Sequence, residues 1–178
     1  PESVTAVGGK FAVDDDRTIP DTLEVTFRMP SGAILVFGQY EASGVKDTLL
    51  RGEVELRGTE GTAVMDNAYG EEVGYNIWPT DNGQYRQAES PAFEERVEIV
   101  QGNMTDKHIR NFLDCVKSRG ECHCSLEKGH RSTTFAHLAT IALETGSVIK
   151  WDAEKEEITN NEEANRMLHY EYRKPWKL

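Results

Sequence analysis

The residues of this sequence that are best suited to chemistry lie between positions 124 and 146, in CSLEKGHRSTTFAHLATIALETG. His130 and His137 are seven residues apart, Arg131 follows the first histidine, and Glu127 precedes it by three. In a helix seven residues turn through about 700°, so both histidines project to one side, with Glu127 near it. Near a helix start, a histidine and an arginine offer positive charge and free N–H groups to an anionic or hydroxylated ligand. We predict that Glu127, His130, Arg131 and His137 bind substrate.

The same residues are compatible with a second interpretation, a polar helix face that lies in solvent and only helps the helix to sit on its domain. The residues alone leave both interpretations open. A metal site at the two histidines is disfavoured, because seven residues separate them by about 10 Å along the helix axis and other ligands are missing.

Three cysteines and a histidine cluster within ten residues, but their spacing does not predict a metal centre. Structural zinc needs four ligands, usually as two spaced pairs, and a second pair is missing here. The odd cysteine count also disfavours a disulfide framework. We predict reduced cysteines and no bound metal at this cluster, which consists of Cys115, Cys122, His123 and Cys124.

Composition excludes several classes of protein. The chain has 178 residues and a formal charge of −11, from 31 acidic and 20 basic residues, so its field repels nucleic acid. No apolar run approaches the roughly 20 residues that cross a bilayer. We predict a soluble protein without a membrane partner, cytoplasmic rather than exported. Because the chain begins with Pro1 and not Met, we interpret residues 1–178 as one domain of a longer protein.

The elements that must position these residues begin with strands. DTLEVTFRMP alternates apolar and polar residues with a period of two, which predicts a strand with one wet face. AILVFGQYEA is apolar on both faces, which is typical of a central or covered strand. We predict that it forms an antiparallel hairpin with the DTLEVTFRMP strand. A second hairpin turns through Gly58 and Gly61, and GYNIWP and RVEIV are weaker strand candidates. The polar loop 79–91 between them is predicted to be the most mobile segment.

Two helices follow in the second half. In the first, Thr105 is the predicted N-cap, Gly120 follows the end, and apolar residues recur at helical spacing: Ile109, Phe112, Leu113 and Val116. The second runs from an N-cap at Ser125 to Gly146. Its apolar arc is predicted to face the sheet, away from the histidines, and consists of Phe135, Leu138, Ala139, Ala142 and Leu143.

The order of strands first and helices second predicts an α+β fold, with a mostly antiparallel open-faced sheet and helices packed on one face. SVIKWD adds a late strand, and Asn160 with Glu163 has the spacing of a capping box before a short helix. Apolar residues on the open sheet face would need cover, so we predict a homo-oligomer formed through that face.

The ordered segments of the chain resemble the C-terminal domain of the glucose-fructose oxidoreductase and inositol dehydrogenase family (Gfo/Idh/MocA). The resemblance covers nearly the whole chain and is carried by VGGKFAVDDDRTIPDTLEVTF, LRGTEGTAVMD, HIRNFLDCVKSRG, EKGHRSTTFAHLATIAL and KPW. It implies an N-terminal Rossmann domain that binds NAD or NADP in the parent protein, upstream of Pro1. The chain itself contains no glycine-rich dinucleotide fingerprint, so no cofactor is expected on this part alone.

The resemblance implies hydride transfer between a nicotinamide and a sugar, inositol or related polyol, to which this domain contributes substrate contacts and oligomerisation. The family's Glu-Lys-Pro motif carries its catalytic lysine, and the Glu127–Gly129 segment EKG is not that motif. The chain is therefore assigned no catalytic residue and is expected to be inactive alone. The alternatives are a non-catalytic module that binds carbohydrate or protein, and an NAD-dependent glycoside hydrolase domain.

Overall fold

The computed structural model describes residues 1–42, 54–66, 72–80 and 93–176. The chain divides into two compact units, the first made of residues 1–44 and 126–178 and the second of residues 45–125. The assignment of the chain to one domain stays a prediction. Most of the loop predicted at 79–91 lies outside the described residues.

The described residues form nine strands and three helices. In chain order these are β1 (Ser3–Gly9), β2 (Thr22–Arg28), β3 (Ile34–Tyr40), β4 (Val54–Arg57), β5 (Gly61–Asp66), β6 (Glu72–Pro79), β7 (Arg96–Gln101), α1 (Met104–Ser118), α2 (Leu126–Thr145), β8 (Ile149–Asp152), β9 (Glu157–Ile158) and α3 (Glu162–Arg166). Every strand pair is antiparallel, in two sheets. The predicted α+β class is confirmed.

The first unit is a five-stranded sheet in the order β3-β2-β1-β8-β9 with α2 packed against it. The alternation in β2 buries Val25 and Phe27 and leaves Thr26 exposed, as its sequence predicts. Val4 of β1 lies opposite Phe27 on one side and Ile149 on the other. This register places the buried side chains of three strands on the face that α2 covers.

Helix α2 supplies the other half of this core. Leu138 and Ala142 are fully buried, Ala139 nearly so, and the Phe135 ring lies 4.9 Å from the Phe27 ring between centroids. The predicted apolar arc is therefore correct in direction, with Phe135 itself half-buried. Ile141, which the predicted arc does not include, is also buried in this core.

Strand β3 differs from its prediction. The apolar residues on both of its faces predicted a central or covered strand, but within the described part of the chain β3 is the last strand of its sheet. Its large apolar side chains are exposed on both faces: Ile34, Leu35, Val36 and Phe37. An apolar pattern shows which side chains a strand is able to bury. Whether they are buried depends on the strands and helices that pack against it.

Asp21 fixes the loop between β1 and β2. Its carboxylate is 2% exposed, and one oxygen accepts hydrogen bonds from three consecutive backbone N–H groups, those of residues 11, 12 and 13, at 2.8 to 2.9 Å. The other oxygen accepts from the Thr22 hydroxyl at 3.0 Å. These bonds, the backbone ones foremost, lower the pKa of Asp21 to about 2. The carboxylate thus organises a loop that has no regular secondary structure.

This arrangement predicts a pH-dependent contribution to stability. A carboxylate whose pKa falls on folding stabilises the native state above its unfolded pKa of 3.8, and this stabilisation is lost as pH falls toward about 2. We expect Asp21→Asn to lower the Tm by roughly 5 °C near pH 7, because three donors lose a charged acceptor. The Tm difference between wild type and variant should shrink between about pH 4 and pH 2 in thermal scans. A pH-independent difference would contradict this.

The second unit is built on a four-stranded sheet in the order β4-β5-β6-β7, and the predicted hairpin β4–β5 is confirmed. At its turn the Gly58 N–H donates to the Gly61 carbonyl at 2.8 Å. A side chain at Gly61 would collide with the Phe93 ring and the Trp78 carbonyl. Glycine is therefore required there by close packing. GYNIWP and RVEIV are confirmed as parts of β6 and β7.

Helix α1 follows β7 in the second unit, with end residues that differ from those predicted. Asn103, not Thr105, is the N-cap, and its side chain accepts from the N–H groups of Thr105 and Asp106. At the other end Arg119 takes the left-handed conformation (φ 60°) that was expected of a glycine at this end. The predicted apolar stripe is present, but its members are exposed in the structure: Ile109, Phe112, Leu113 and Val116.

The short helix α3 begins one residue later than predicted. Asn161 is its N-cap and accepts from the Ala164 N–H at 3.1 Å. Asn160 instead accepts from the Lys150 N–H and donates to the Val148 carbonyl, both at 2.7 Å, so it fastens this segment to β8. In the described residues, no helix has the length and apolar character needed to cross a membrane.

Candidate functional site

A cavity of about 420 Å³ lies in the first unit. It is formed by the N-terminal half of α2, strand β8 and the turn between β8 and β9, and its lining residues are Pro1, Met29, Glu127, His130, Arg131, Thr134, Phe135, Trp151, Ala153, Glu154 and Glu156. Its volume falls within the range of roughly 300 to 1,000 Å³ that is usual for small-molecule sites.

One ionic pair on the cavity wall is built within α2. The Arg131 Nε donates to the Glu127 carboxylate at 2.6 Å, across one helical turn. Residues four apart lie on the same side of a helix, so the helix itself sets this geometry. Both side chains are largely exposed, so the pair contributes little to stability. The guanidinium keeps other N–H groups for a ligand.

The second pair joins α2 to the turn after β8. The His130 Nε2 lies 2.6 Å from the Glu156 carboxylate. The hydrogen bond and the charge of Glu156 raise the pKa of His130, so the pair is intact at low pH and is lost as pH rises through that raised pKa. Because about half of each side chain is exposed, salt screens the attraction.

Glu156 occupies a backbone conformation that is rare for its residue type. Its φ is 54°, in the left-handed region that glycine and asparagine favour. The preceding turn is held by Asp152, whose side chain accepts from the N–H groups of Glu154 and Lys155 at 3.1 Å. The turn thereby presents the carboxylates of Glu154 and Glu156 to the cavity. Backbone strain of this kind often accompanies functional positions.

The remaining wall is apolar and aromatic. Met29 follows β2, Phe135 lies on α2, and Trp151 lies on β8 opposite Ile158 of β9. Phe135 and Trp151 also pack against the core of the first unit, which fixes their rings. The cavity thus combines a rigid aromatic surface with five charged side chains.

Three of the four residues predicted to bind substrate are brought together in this cavity: Glu127, His130 and Arg131. His137 does not line it and is exposed further along α2. Trp151, Glu154 and Glu156 were missed by the sequence analysis. Their segment, WDAEKEE, begins with the last two residues of the predicted strand SVIKWD and continues with three glutamates, which is a signal that could have found them.

Two other depressions have weaker claims. The larger, about 530 Å³, is lined by residues around α3, and its three asparagine side chains are used in hydrogen bonds that hold the backbone together: Asn160, Asn161 and Asn165. Another, about 390 Å³, surrounds the β4–β5 turn of the second unit. Among the residues that the structure describes, no group of three or more His, Cys, Asp or Glu is arranged to hold a metal ion.

The fold defines the chain as an α+β domain built on antiparallel sheets. A family model described as the oxidoreductase family, C-terminal alpha/beta domain, matches residues 53–178. The chain therefore belongs to the Gfo/Idh/MocA oxidoreductase family, of which it represents the C-terminal domain. Searches of curated proteins and of solved structures gave no match.

Proposed function

We propose that the parent protein is an NAD(P)-dependent dehydrogenase acting on a sugar, inositol or related polyol, and that the cavity of the first unit contacts this substrate. The observation that carries the proposal is that a chain of this oxidoreductase family gathers Glu127, His130 and Arg131 beside an aromatic wall. The catalytic lysine expected from the family lies outside this chain, so the share of this domain is binding and orientation.

The chemistry of the cavity suits a neutral, hydroxylated ligand. Carboxylates accept hydrogen bonds from the hydroxyl groups of such a ligand, and the Arg131 guanidinium donates hydrogen bonds to its hydroxyl oxygens. The ligand therefore needs no net charge to complement the cavity wall. Trp151 and Phe135 offer flat apolar surface to the C–H face of a ring. Polyols present both kinds of surface.

A dinucleotide does not fit this cavity. Three carboxylates line the cavity, those of Glu127, Glu154 and Glu156, and they outnumber its two cationic side chains, Arg131 and protonated His130. The arginine is already paired with Glu127. A pyrophosphate would meet a net negative field. We therefore assign the nicotinamide cofactor, which supplies the hydride acceptor or donor when bound, to the expected N-terminal Rossmann domain.

The exposed apolar side chains of β3 support homo-oligomerisation as part of the same proposal. Ile34 and Val36 lie on one face of the strand, Leu35 and Phe37 on the other, and all four are exposed in the described residues. A second copy of the sheet would remove them from water. Oligomerisation is independent of ligand binding in the cavity. The molecular mass of the protein in solution tests it.

The proposal is tested with the full-length parent, purified and supplied with NAD or NADP and a panel of sugars, inositols and other polyols. Nicotinamide absorbance reports turnover, and calorimetry with the same ligands reports binding. We expect saturable reduction of the cofactor with at least one polyol. Carbohydrate binding without cofactor reduction would support the non-catalytic module instead, and release of free sugar from a glycoside without net reduction would support the hydrolase.

A further inference from the structure

The loop after α1 folds back on the last turns of that helix and brings the backbone next to Cys122 to the Cys115 thiol. The Cys115 Sγ donates to the carbonyl oxygen of Glu121 at 3.3 Å, and Glu121 directly precedes Cys122. All three cysteines of the chain are free; Cys115 and Cys122 are half-buried and Cys124 is exposed.

Several bonds other than those of the thiols hold this arrangement. The Asn111 side chain spans the gap, since its oxygen accepts from the His123 N–H at 2.9 Å while its Nδ2 lies 3.8 Å from the Cys115 Sγ. Arg119 reverses the chain through its left-handed conformation, with its N–H on the Cys115 carbonyl at 2.8 Å. These bonds hold the loop that carries Cys122 against the turn of α1 that carries Cys115.

We propose that Cys115 and Cys122 form a thiol-oxidation site that closes to an intramolecular disulfide when a peroxide is present. The loop joining them is short and preformed, so bond formation requires little ordering of the chain. A small dithiol reductant reopens the pair by attacking one sulfur of the disulfide and then releasing the second thiol as its own disulfide closes.

The chemistry balances with a peroxide as the two-electron oxidant. The Cys122 thiolate attacks a peroxide oxygen, the O–O bond breaks, and hydroxide departs. Cys122 is then a sulfenic acid. The Cys115 thiol then attacks that sulfur, the S–O bond breaks, and water departs as the S–S bond forms. Burial and the neighbouring Cys122 thiol raise the pKa of Cys115, which disfavours its thiolate and leaves the first step to Cys122. Cys115 loses its proton when it attacks the sulfenic acid.

Trypsin offers a direct assay, because Lys117 and Arg119 lie between the two cysteines and cleavage puts them on separate peptides. The native protein is treated with hydrogen peroxide, its remaining thiols are alkylated, and the digest is analysed by mass spectrometry without reduction. We expect a linked pair of peptides that dithiothreitol separates. The rate of linkage should be at least about 10-fold higher in the native protein than in denaturant, since the fold holds the thiols together.

Two variants identify the partner of Cys115, since Cys122 and Cys124 fall on one tryptic peptide. In Cys124→Ser the link should form as in wild type, and in Cys122→Ser it should fall about 10-fold or more. Asn111→Ala, which frees the loop, should slow linkage severalfold in a folded protein. Equal linkage in Cys122→Ser and wild type, or equal rates in native and denatured protein, would overturn the proposal.

Discussion

Leu138→Ala lowers the free energy of unfolding by about 2 to 5 kcal/mol, the largest effect expected of any single truncation in α2. Leu138 is fully buried among side chains from both halves of the first unit, including Val4, Val25 and Ile149. Its removal leaves a cavity that these strands cannot fill without breaking their register. Urea denaturation followed by circular dichroism measures the loss.

Leu126→Ala is the matched control for this prediction. It makes the same chemical change in the same helix at a side chain that is 94% exposed. We expect a change within about 0.5 kcal/mol, as for surface positions in general. Similar losses for both variants would mean that α2 does not pack on the sheet through the Leu138 face.

His130→Ala in the full-length parent is expected to lower kcat/KM for the proposed polyol substrate by about 10-fold or more, with little change in stability. Loss of a hydrogen bond between a charged group and its partner costs about 1.5 to 3 kcal/mol when a ligand depends on it. His130 is about half exposed and lies outside the core, so folding does not depend on it. Steady-state kinetics and a thermal scan on the same sample measure both effects.

The control for this second prediction is His108→Ala, a change at an exposed histidine on α1 that is not among the residues lining the cavity. It should leave both kinetics and Tm unchanged. His137→Ala separates the sequence-based prediction from the cavity geometry, because His137 shares the side of α2 but does not line the cavity. Lower Tm with unchanged kinetics in His130→Ala would reject a role in substrate binding.

Local patterns were sufficient for most elements of this fold. The alternation in β2 and the helical period of α2 each follow from a single segment, and their predicted limits agree with the structure within a few residues. Caps were less accurate: Asn103 replaced Thr105, and Asn161 replaced Asn160, because several residues near a helix start can accept the same N–H bonds.

The cavity could be predicted only in part, for a physical reason. Glu127, His130 and Arg131 share one helix, so spacing alone places them together. Glu156 joins them from a turn 26 residues away from His130, through a sheet register that one sequence does not specify. Phe135 illustrates the same limit. Its position in the apolar arc was predicted correctly, but its half-buried state depends on neighbouring side chains. Truncating it should therefore cost less free energy of unfolding than truncating a fully buried phenylalanine.

The first unit is assembled from the two ends of the chain, and this sets the order in which it can form. Val4 pairs with Ile149, so their strands close a loop of more than a hundred residues that contains the whole second unit. During synthesis the β1–β2–β3 meander leaves the ribosome long before α2 and β8, with the inner sides of Val4, Val25 and Phe27 uncovered. The second unit, a continuous segment, faces no such delay. Nascent chains of this protein therefore pass through a stage in which the sheet of the first unit still lacks α2, β8 and β9. At this stage its apolar strands are accessible to chaperones.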